Sequence, residues 1–142
     1  MTPRAPRLIS AALAIAGEGR IACNQVLYHL GERAIEAQVL PWCERHGVTV
    51  VGYSPFGSGR FPHPGSAGGR VLAAVAGEVG ATVRQVALAF LTRRASLLTI
   101  PKTASAGHAV ENAGAGEVKL TAAQIDRLDS AFPARGSHGL PT

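Results

Sequence analysis

Residues 48–57 read VTVVGYSPFG, an apolar and largely β-branched run that ends in a turn sequence. The run does not alternate apolar and polar residues, which is typical of a strand covered on both faces in a parallel sheet. Two further runs of this kind, Ile21–Val26 and Leu97–Pro101, lie before and after it. The three runs predict three strands of one parallel sheet.

Helical patterns fill the intervals between these predicted strands. One helix is expected over 33–46, and Pro41 should bend it or mark an irregular turn. Apolar stripes over 71–79 and 83–91 recur at helical spacing. Because strands alternate with helices, the sequence predicts an α/β fold built from right-handed βαβ units.

Local signals mark where several helices begin. Thr82 with Gln85 forms a capping box, and Thr121 with Gln124 forms another that opens a last helix. A weaker helical pattern runs over 105–113, because a glycine lies within it.

Composition and charge limit the classes of function. The chain has 142 residues, of which 46% are hydrophobic and 16% charged, and this predicts one folded domain. The formal charge is +5, but no basic run is longer than Arg93-Arg94 and no aromatic residues are interleaved with the cations. The pattern disfavours nucleic-acid binding and suits a small anionic ligand such as a phosphate.

The amino-terminal segment allows two interpretations. Arg4 and Arg7 precede the apolar run 8–16, which Gly17 follows, and this order imitates a secretory signal. The alternative, a short amphipathic helix that ends at Gly17, is favoured because the run is short and rich in alanine. No stretch approaches the ~20 apolar residues of a membrane span.

Cysteines and acidic residues provide no separate site. Cys23 and Cys43 are too few for a secreted disulfide framework, so we expect buried, reduced thiols in a cytoplasmic protein. The histidines are isolated, and no metal-ligand spacing is present. Glu32, Glu36 and Glu44 are interpreted as a solvated helix face rather than a pair of catalytic carboxylates.

The end of the second predicted strand carries the first candidate site. Tyr53 should face the mouth of the sheet, where its ring could support a planar group such as nicotinamide. Gly57 and Ser58 would then offer a backbone N–H and a hydroxyl to phosphate. A tyrosine that closes the core, followed by a plain turn, explains this motif equally well.

The end of the third predicted strand carries the second candidate. Lys102 and Thr103 leave the strand just before a helix, where a cation and a hydroxyl form an anion site. A single lysine is more often a solvated surface group. However, strand ends of a parallel sheet meet at one edge, so Lys102 and Tyr53 should lie on the same side.

A side-chain amide on the first predicted strand is the third candidate. The pair Asn24-Gln25 lies near the strand's end, where an amide can hold a carboxamide through two hydrogen bonds. The alternative is an amide that satisfies a neighbouring loop backbone.

In their order and spacing these motifs resemble the aldo-keto reductases, and the likeness runs from about Leu13 to Phe132. The matching residues are Asn24-Gln25-Val26, Tyr28-His29, Val51–Gly57, Gln85–Leu88, Ile100–Thr103 and Glu111-Asn112. The resemblance implies a partial (β/α)₈ TIM barrel, made of the last three parallel strands with their helices. Residues 1–12 would be a poorly defined segment, and residues 133–142 a mobile tail.

The resemblance also implies an oxidoreductase that reduces aldehydes or ketones by hydride transfer from NADP(H). By this likeness Gln25 would hold the nicotinamide carboxamide, and Tyr53 would stack on the nicotinamide ring. Ser54, Phe56 and Ser58 would line the pyrophosphate.

The adenosine end of the cofactor would lie on the residues after the third strand. By the same likeness Lys102 and Thr103 would bind the 2′-phosphate, and Glu111 and Asn112 would reach the adenine. The family often has an arginine where this chain has His108, so a preference for NADP over NAD is left open.

The family's catalytic Tyr, Lys, Asp and His lie on earlier strands, and a full barrel takes about 250 residues. The chain contains no second set of such residues: Tyr28 is expected in a loop, with no lysine or aspartate placed to lower its pKa. A Ser-Asn nicotinamide contact of the family is also not visible in Met1–Arg7. We therefore expect a truncated, C-terminal form that is inactive alone.

Two alternatives follow from the same residues. The chain could be a non-catalytic NADP(H)-binding module, or an interaction protein that completes a barrel with another chain or with a copy of itself. An open partial barrel would expose strand edges and so favour self-association. A small-molecule carbonyl substrate would require the missing half of the barrel.

Overall fold

Residues 6–134, which the computed structural model describes, alternate helices and strands in the predicted order. A single-turn 3₁₀ helix (Ala34–Glu36) precedes the second α-helix, and another (Ala115–Glu117) precedes the last. The remaining elements are α1 (Arg7–Ala16), β1 (Cys23–Leu27), α2 (Val39–Arg45), β2 (Thr49–Tyr53), α3 (Ala67–Val79), α4 (Val83–Leu91), β3 (Leu97–Ile100), α5 (Ala106–Gly114) and α6 (Ala122–Ala131).

The three strands form one parallel sheet in the order β1-β2-β3, as the sequence predicts. Leu27 pairs with Tyr53, and Tyr53 pairs with Ile100. The carboxyl ends of all three strands therefore lie at one edge of the sheet. The loop over 54–66 leaves this edge after β2, where the sequence places a Gly/Pro-rich loop.

Only one face of the sheet is covered in the part of the chain that the structure describes. Val50 and Leu97 face the helices and are buried, whereas Leu98, Ile100 and Tyr53 on the other face are 55%, 47% and 42% exposed. The prediction that both faces are covered is wrong for these residues. The sequence did not alternate because the open face is itself apolar, as the lining of a barrel is.

The core lies between the covered face of the sheet and the helices. Helix α3 contacts both α4 and α6. Helix α2 contacts β2, and α4 contacts β3. The largest side chains that are fully buried there are Tyr28, Phe90, Leu40, Leu72, Leu91 and Leu128.

The helix predicted over 33–46 is two separate elements. A single 3₁₀ turn ends at Glu36, and α2 begins at Val39 with Pro41 in its first turn. Backbone N–H groups in the first turn of a helix have no partner within the helix, so the proline removes no hydrogen bond there. Pro41 therefore fixes where α2 begins rather than bending a longer helix.

The predicted helix starts are confirmed. At both capping boxes the threonine hydroxyl (Thr82, Thr121) accepts from the backbone N–H of the glutamine three residues on (Gln85, Gln124). The side-chain oxygen of each glutamine in turn accepts from the backbone N–H of its threonine. Ser105 caps α5 in the same way through one hydrogen bond. These bonds join residues three apart, which is why the sequence could specify them.

Helix α1 begins at Arg7 and ends at Gly17, which has a φ of 92°. It starts inside the segment predicted to be poorly defined, and most of the predicted tail, 135–142, lies outside the described residues, as do 1–5. Within residues 6–134 no individual helix has the length and apolar character needed to cross a membrane. Helices α3 and α4 meet that test only jointly, across a bend of 95°.

Candidate functional site

The carboxyl edge of the sheet brings together the residues that the sequence singled out. Paired residues of neighbouring parallel strands point to the same face, so Leu27, Tyr53 and Ile100 lie side by side on the open face. Gln25 pairs with Val51 on that same face and is exposed. The amide of Gln25 and the ring of Tyr53 thus share one accessible surface.

The loop after Tyr53 has an uncommon backbone. Ser54 has a φ of 53° and Ser58 a φ of 49°, and the glycines Gly57 and Gly59 have φ values of 74° and 89°. The Gly57 N–H donates to the Ser54 carbonyl at 2.8 Å, which closes a tight turn. Positive φ is costly for serine, and such strain is concentrated at binding sites. Backbone N–H groups in turns of this kind form concavities for anions.

His29 packs against the tip of this loop. Its ring is buried, its Nδ1 accepts from the Gly31 N–H at 3.1 Å, and its Nε2 has no hydrogen-bond partner among the described residues. A Cβ added to Gly57 would lie 3.4 Å from that Nδ1. Burial and then the charge of Arg60 lower the pKa of His29, so the ring stays neutral against the loop.

The end of β3 presents the second group. Lys102 is exposed two residues beyond Ile100, and it belongs to no ion pair among residues 6–134. The Thr103 hydroxyl accepts from the Ser105 N–H at 3.0 Å, and the Ser105 hydroxyl accepts from the His108 N–H at 3.4 Å. A cation and a hydroxyl therefore stand at the beginning of α5, as predicted.

Helix α5 carries His108, which is exposed, and Glu111 and Asn112, which are partly buried. The Glu111 carboxylate accepts from the Thr82 hydroxyl at 2.7 Å, and its carbonyl accepts from the Gln85 side chain at 2.9 Å. The sequence did not predict this link between α5 and the capping box of α4. It fixes α5 relative to α4, while the adenine contact expected of Glu111 and Asn112 stays a prediction.

The two amides of β1 face opposite ways. The Asn24 side chain points to the helices and lies 3.9 Å from the Cys43 sulfur, whereas Gln25 points to the open face. Asn24 therefore satisfies a buried neighbour. Cys43 is buried as expected, but Cys23 is exposed on the open face, so the expectation that both thiols are buried is wrong for Cys23.

An ion cluster behind the site, with Arg33 and Glu36 largely buried and Asp129 exposed, was not predicted. The Arg33 guanidinium lies 2.7 Å from Glu36 and 2.5 Å from Asp129, and Arg93 lies 3.0 Å from Glu36. The Tyr28 hydroxyl donates to Glu36 at 2.5 Å. The prediction of a solvated face is wrong for Glu36, because Tyr28 and the distant Arg93 join the neighbouring Arg33 in enclosing its carboxylate.

The other two acidic residues of that predicted face are also engaged. Glu44 accepts hydrogen bonds from Arg94 and, at 2.6 Å, from the Ser96 hydroxyl, while Glu32 accepts from the Ala34 N–H at 3.2 Å. These contacts fix local backbone and join α2 to the start of β3. No pair of these carboxylates faces a cavity with the geometry of an acid and a base.

The cluster holds the buried Tyr28 hydroxyl in a hydrogen bond to Glu36, on the covered side of the sheet. Burial, and then the hydrogen bond to Glu36, raise the pKa of Tyr28 to about 12. Burial alone would also raise the pKa of Glu36, but hydrogen bonds from Arg33 and Tyr28 and the charges of Arg93 and Arg33 lower it to about 2. Arg93 acts in the opposite direction on the Tyr28 pKa, through its charge and a hydrogen bond, but burial and Glu36 outweigh it.

We expect acid to weaken the fold through Glu36. Its pKa is about 2 when folded, against an ordinary 4.5. The stabilisation it contributes is therefore present above pH 4.5 and lost as the pH falls towards 2. Between about pH 5.5 and 3 the free energy of unfolding should fall by about 2 kcal/mol from this group alone. Urea titrations at several pH values in this range measure the fall. Glu36→Gln should be less stable at neutral pH, and its free energy of unfolding should depend less on pH.

With this geometry in place, the comparisons with known proteins identify the family. Residues 8–132 match the family model described as the Aldo/keto reductase family. The chain belongs to that family. The aldo-keto reductase resemblance deduced from the motifs is thereby confirmed over the same part of the chain.

Individual relatives give the same result. The chain is 37% identical over 118 residues to a methylglyoxal reductase of Escherichia coli (strain K12), a match that covers 83% of this chain and 42% of the relative. It superposes with a TM-score of 0.80 on a thermostable aldo-keto reductase in complex with the inhibitor epalrestat, at 32% identity, covering 90% of this chain and 46% of the other. The chain also superposes with a TM-score of 0.77 on an aldo-keto reductase from Klebsiella pneumoniae in complex with NADPH, at 35% identity. That match covers 91% of this chain and 46% of the other.

The chain spans less than half the length of each of these relatives. Its parallel strands and helices match part of an aldo-keto reductase TIM barrel, which confirms the predicted partial barrel. The uncovered face of β1–β3 corresponds to the inner face of such a barrel.

Proposed function

We propose that this chain is the NADP(H)-binding part of an aldo-keto reductase that passes a hydride between NADP(H) and an aldehyde or ketone. The observation that supports this most directly is the pairing of Tyr53 with Ile100, because it brings Tyr53 and Lys102 to the same edge on neighbouring strands. A dinucleotide extended along that edge would meet both. The NADPH bound to the similar Klebsiella pneumoniae enzyme supports the same ligand.

At the nicotinamide end, the exposed ring of Tyr53 offers a flat apolar surface on which the nicotinamide would stack. The Gln25 amide, on the same face, would donate to and accept from the carboxamide. Ser54, Phe56 and Ser58 would line the pyrophosphate. Backbone N–H groups of this loop, which contains several residues with positive φ, would be the donors.

At the adenosine end, Lys102 and the Thr103 hydroxyl would hold the 2′-phosphate at the beginning of α5. The first turn of the helix favours an anion there through its unpaired N–H groups. Asn112 and Glu111 lie further along α5, where they would meet the adenine. His108 would occupy the place between the phosphate and these residues, so its side chain would bear on the preference between NADP and NAD.

The reaction divides between the cofactor and the protein. The cofactor supplies the hydride, and an acid must deliver a proton to the carbonyl oxygen. This chain's residues would bind and orient the nicotinamide, but Tyr28 is fully buried and its hydroxyl donates to Glu36, so it is not placed to serve as that acid. We therefore propose that the chain binds NADP(H) and does not reduce carbonyl compounds by itself.

Two measurements on the purified chain test the proposal. Titration with NADPH should give a saturable change in nicotinamide fluorescence, and methylglyoxal should cause no loss of NADPH absorbance. Lack of binding at high micromolar NADPH would refute the proposed ligand, and methylglyoxal-dependent oxidation would refute the proposed inactivity. Tyr53→Leu, which keeps an apolar side chain but removes the ring, should weaken binding if the nicotinamide stacks there.

The open face of the sheet supports a second candidate, a protein that completes a barrel with another chain or a second copy. Leu98 and Ile100 are large apolar residues about half exposed, and such patches mark association sites. Sedimentation of the same sample at several concentrations separates the candidates. Self-association without NADPH binding favours the second, and a monomer that binds NADPH favours the first.

A further inference from the structure

Arg84 is held over two aromatic rings of the loop that follows β2. Its guanidinium carbon lies 4.9 Å from the centre of the Phe56 ring and 5.4 Å from that of Phe61. The two rings meet edge to face, with centres 5.8 Å apart. This arrangement fixes the position of a side chain that would otherwise be flexible.

The charge of Arg84 is not neutralised in the described part of the chain. None of the ion pairs among residues 6–134 includes it, and the residue is exposed. It also lies in the first turn of α4, where the helix dipole disfavours a cation. The helix and the surface thus do not explain an arginine here, and the two rings account only for its position.

A stacked guanidinium keeps its hydrogen-bonding capacity. The contact with the rings uses the face of the planar group, whereas its five N–H donors point outward in the plane. These donors are suited to two oxygens of a phosphate. Arg84, in the first turn of α4, therefore holds a set of hydrogen-bond donors beside the loop that contains Phe56.

We propose that Arg84 binds the pyrophosphate of the dinucleotide, an inference that rests on the function proposed above. The pyrophosphate is the nearest anion because Phe56 lies between Ser54 and Ser58, the residues proposed to line it. The 2′-phosphate is assigned to Lys102, at the end of the neighbouring strand. Arg84 thus adds affinity that is shared by every nicotinamide dinucleotide, whereas Lys102 separates NADP from NAD.

The test compares Arg84→Met with Arg45→Met in equilibrium titrations with NADPH and with NADH. Methionine keeps an apolar side chain against the two rings but removes the charge. Arg45 is an exposed arginine in the last turn of α2, at the opposite end of the sheet, so its variant controls for the loss of one charge. We expect Arg84→Met to weaken both nucleotides by the same factor, roughly tenfold, and Arg45→Met to change neither.

Each other result has a defined meaning. Unchanged affinity in Arg84→Met would show that the arginine only attaches the loop to α4 and would overturn the inference, and a loss for NADPH alone would overturn the assignment to the pyrophosphate. If Arg84→Met also loses thermal stability, Arg84→Lys decides, because it should recover binding only if the charge matters. Failure of the unaltered chain to bind either nucleotide would instead refute the proposed function, and the inference with it.

Discussion

Replacing Arg33 with alanine is expected to lower the free energy of unfolding by about 3 kcal/mol, the lower end of the range for breaking a buried ion pair, since Glu36 loses one of its two cationic partners. Arg33 is only 3% exposed. Its guanidinium donates to both oxygens of Glu36, to Asp129 and to the carbonyl of Phe132. The alanine variant would leave the carboxylate of Glu36 buried with only Arg93 and Tyr28 as partners.

The effect should be large because Arg33 also joins distant parts of the chain. Asp129 and Phe132 lie at the end of α6, whereas Arg33 directly follows the segment with Tyr28 and His29. Losing the guanidinium would free the end of α6 from the loop that supports Gly57. We therefore expect faster hydrogen exchange at the end of α6 and in the loop after β2, in addition to the loss of global stability.

Urea denaturation of the two proteins side by side measures the change, and Arg127→Ala is the matched control. Arg127 pairs with Glu78 at 2.6 Å, but both side chains are more than 40% exposed. Exposed pairs contribute about 0–1 kcal/mol, so the control should differ little from the unaltered chain. Equal losses in the two variants would show that burial of the Arg33 cluster does not strengthen it. If the alanine variant does not fold, Arg33→Lys provides a milder form of the same comparison.

Replacing Lys102 with methionine is expected to weaken NADPH binding roughly a hundredfold, about 2.8 kcal/mol, and to leave NADH binding unchanged. A hydrogen bond to a charged group is worth about 1.5–3 kcal/mol, and only NADPH carries the 2′-phosphate that Lys102 would bind. The exposed position of Lys102 beyond β3, with no ion-pair partner among residues 6–134, leaves its ammonium group available for that phosphate.

The chain's other lysine provides the control for this experiment. Lys119 is exposed and lies just before α6, outside the proposed site. Lys119→Met removes the same charge and should leave both affinities as they are. A similar loss for NADPH and NADH in Lys102→Met would contradict its assignment to the 2′-phosphate. Raising the salt concentration should weaken NADPH binding less in Lys102→Met than in the unaltered chain, because one ionic contact is missing.

The sequence alone determined the local structure and the edge at which the site lies. The capping boxes at Thr82 and Thr121 could be predicted because their bonds join residues three apart. Tyr53 and Lys102 could be placed together because consecutive parallel strands must end at the same edge. The order and spacing of the motifs were enough to indicate the family.

Tertiary structure decided which side chains become partners across long intervals. Glu36 meets Arg93 and Arg33 meets Asp129, contacts that span 57 and 96 residues, and no local pattern predicts which charges will meet across such intervals. The position of Arg84 over Phe56 and Phe61 likewise depends on how the loop folds back onto α4. The open face of the sheet was hidden in the sequence because its residues are as apolar as the buried ones. The hydrophobic pattern of a sequence reports the polarity of each residue, whereas only packing decides which other residues cover it.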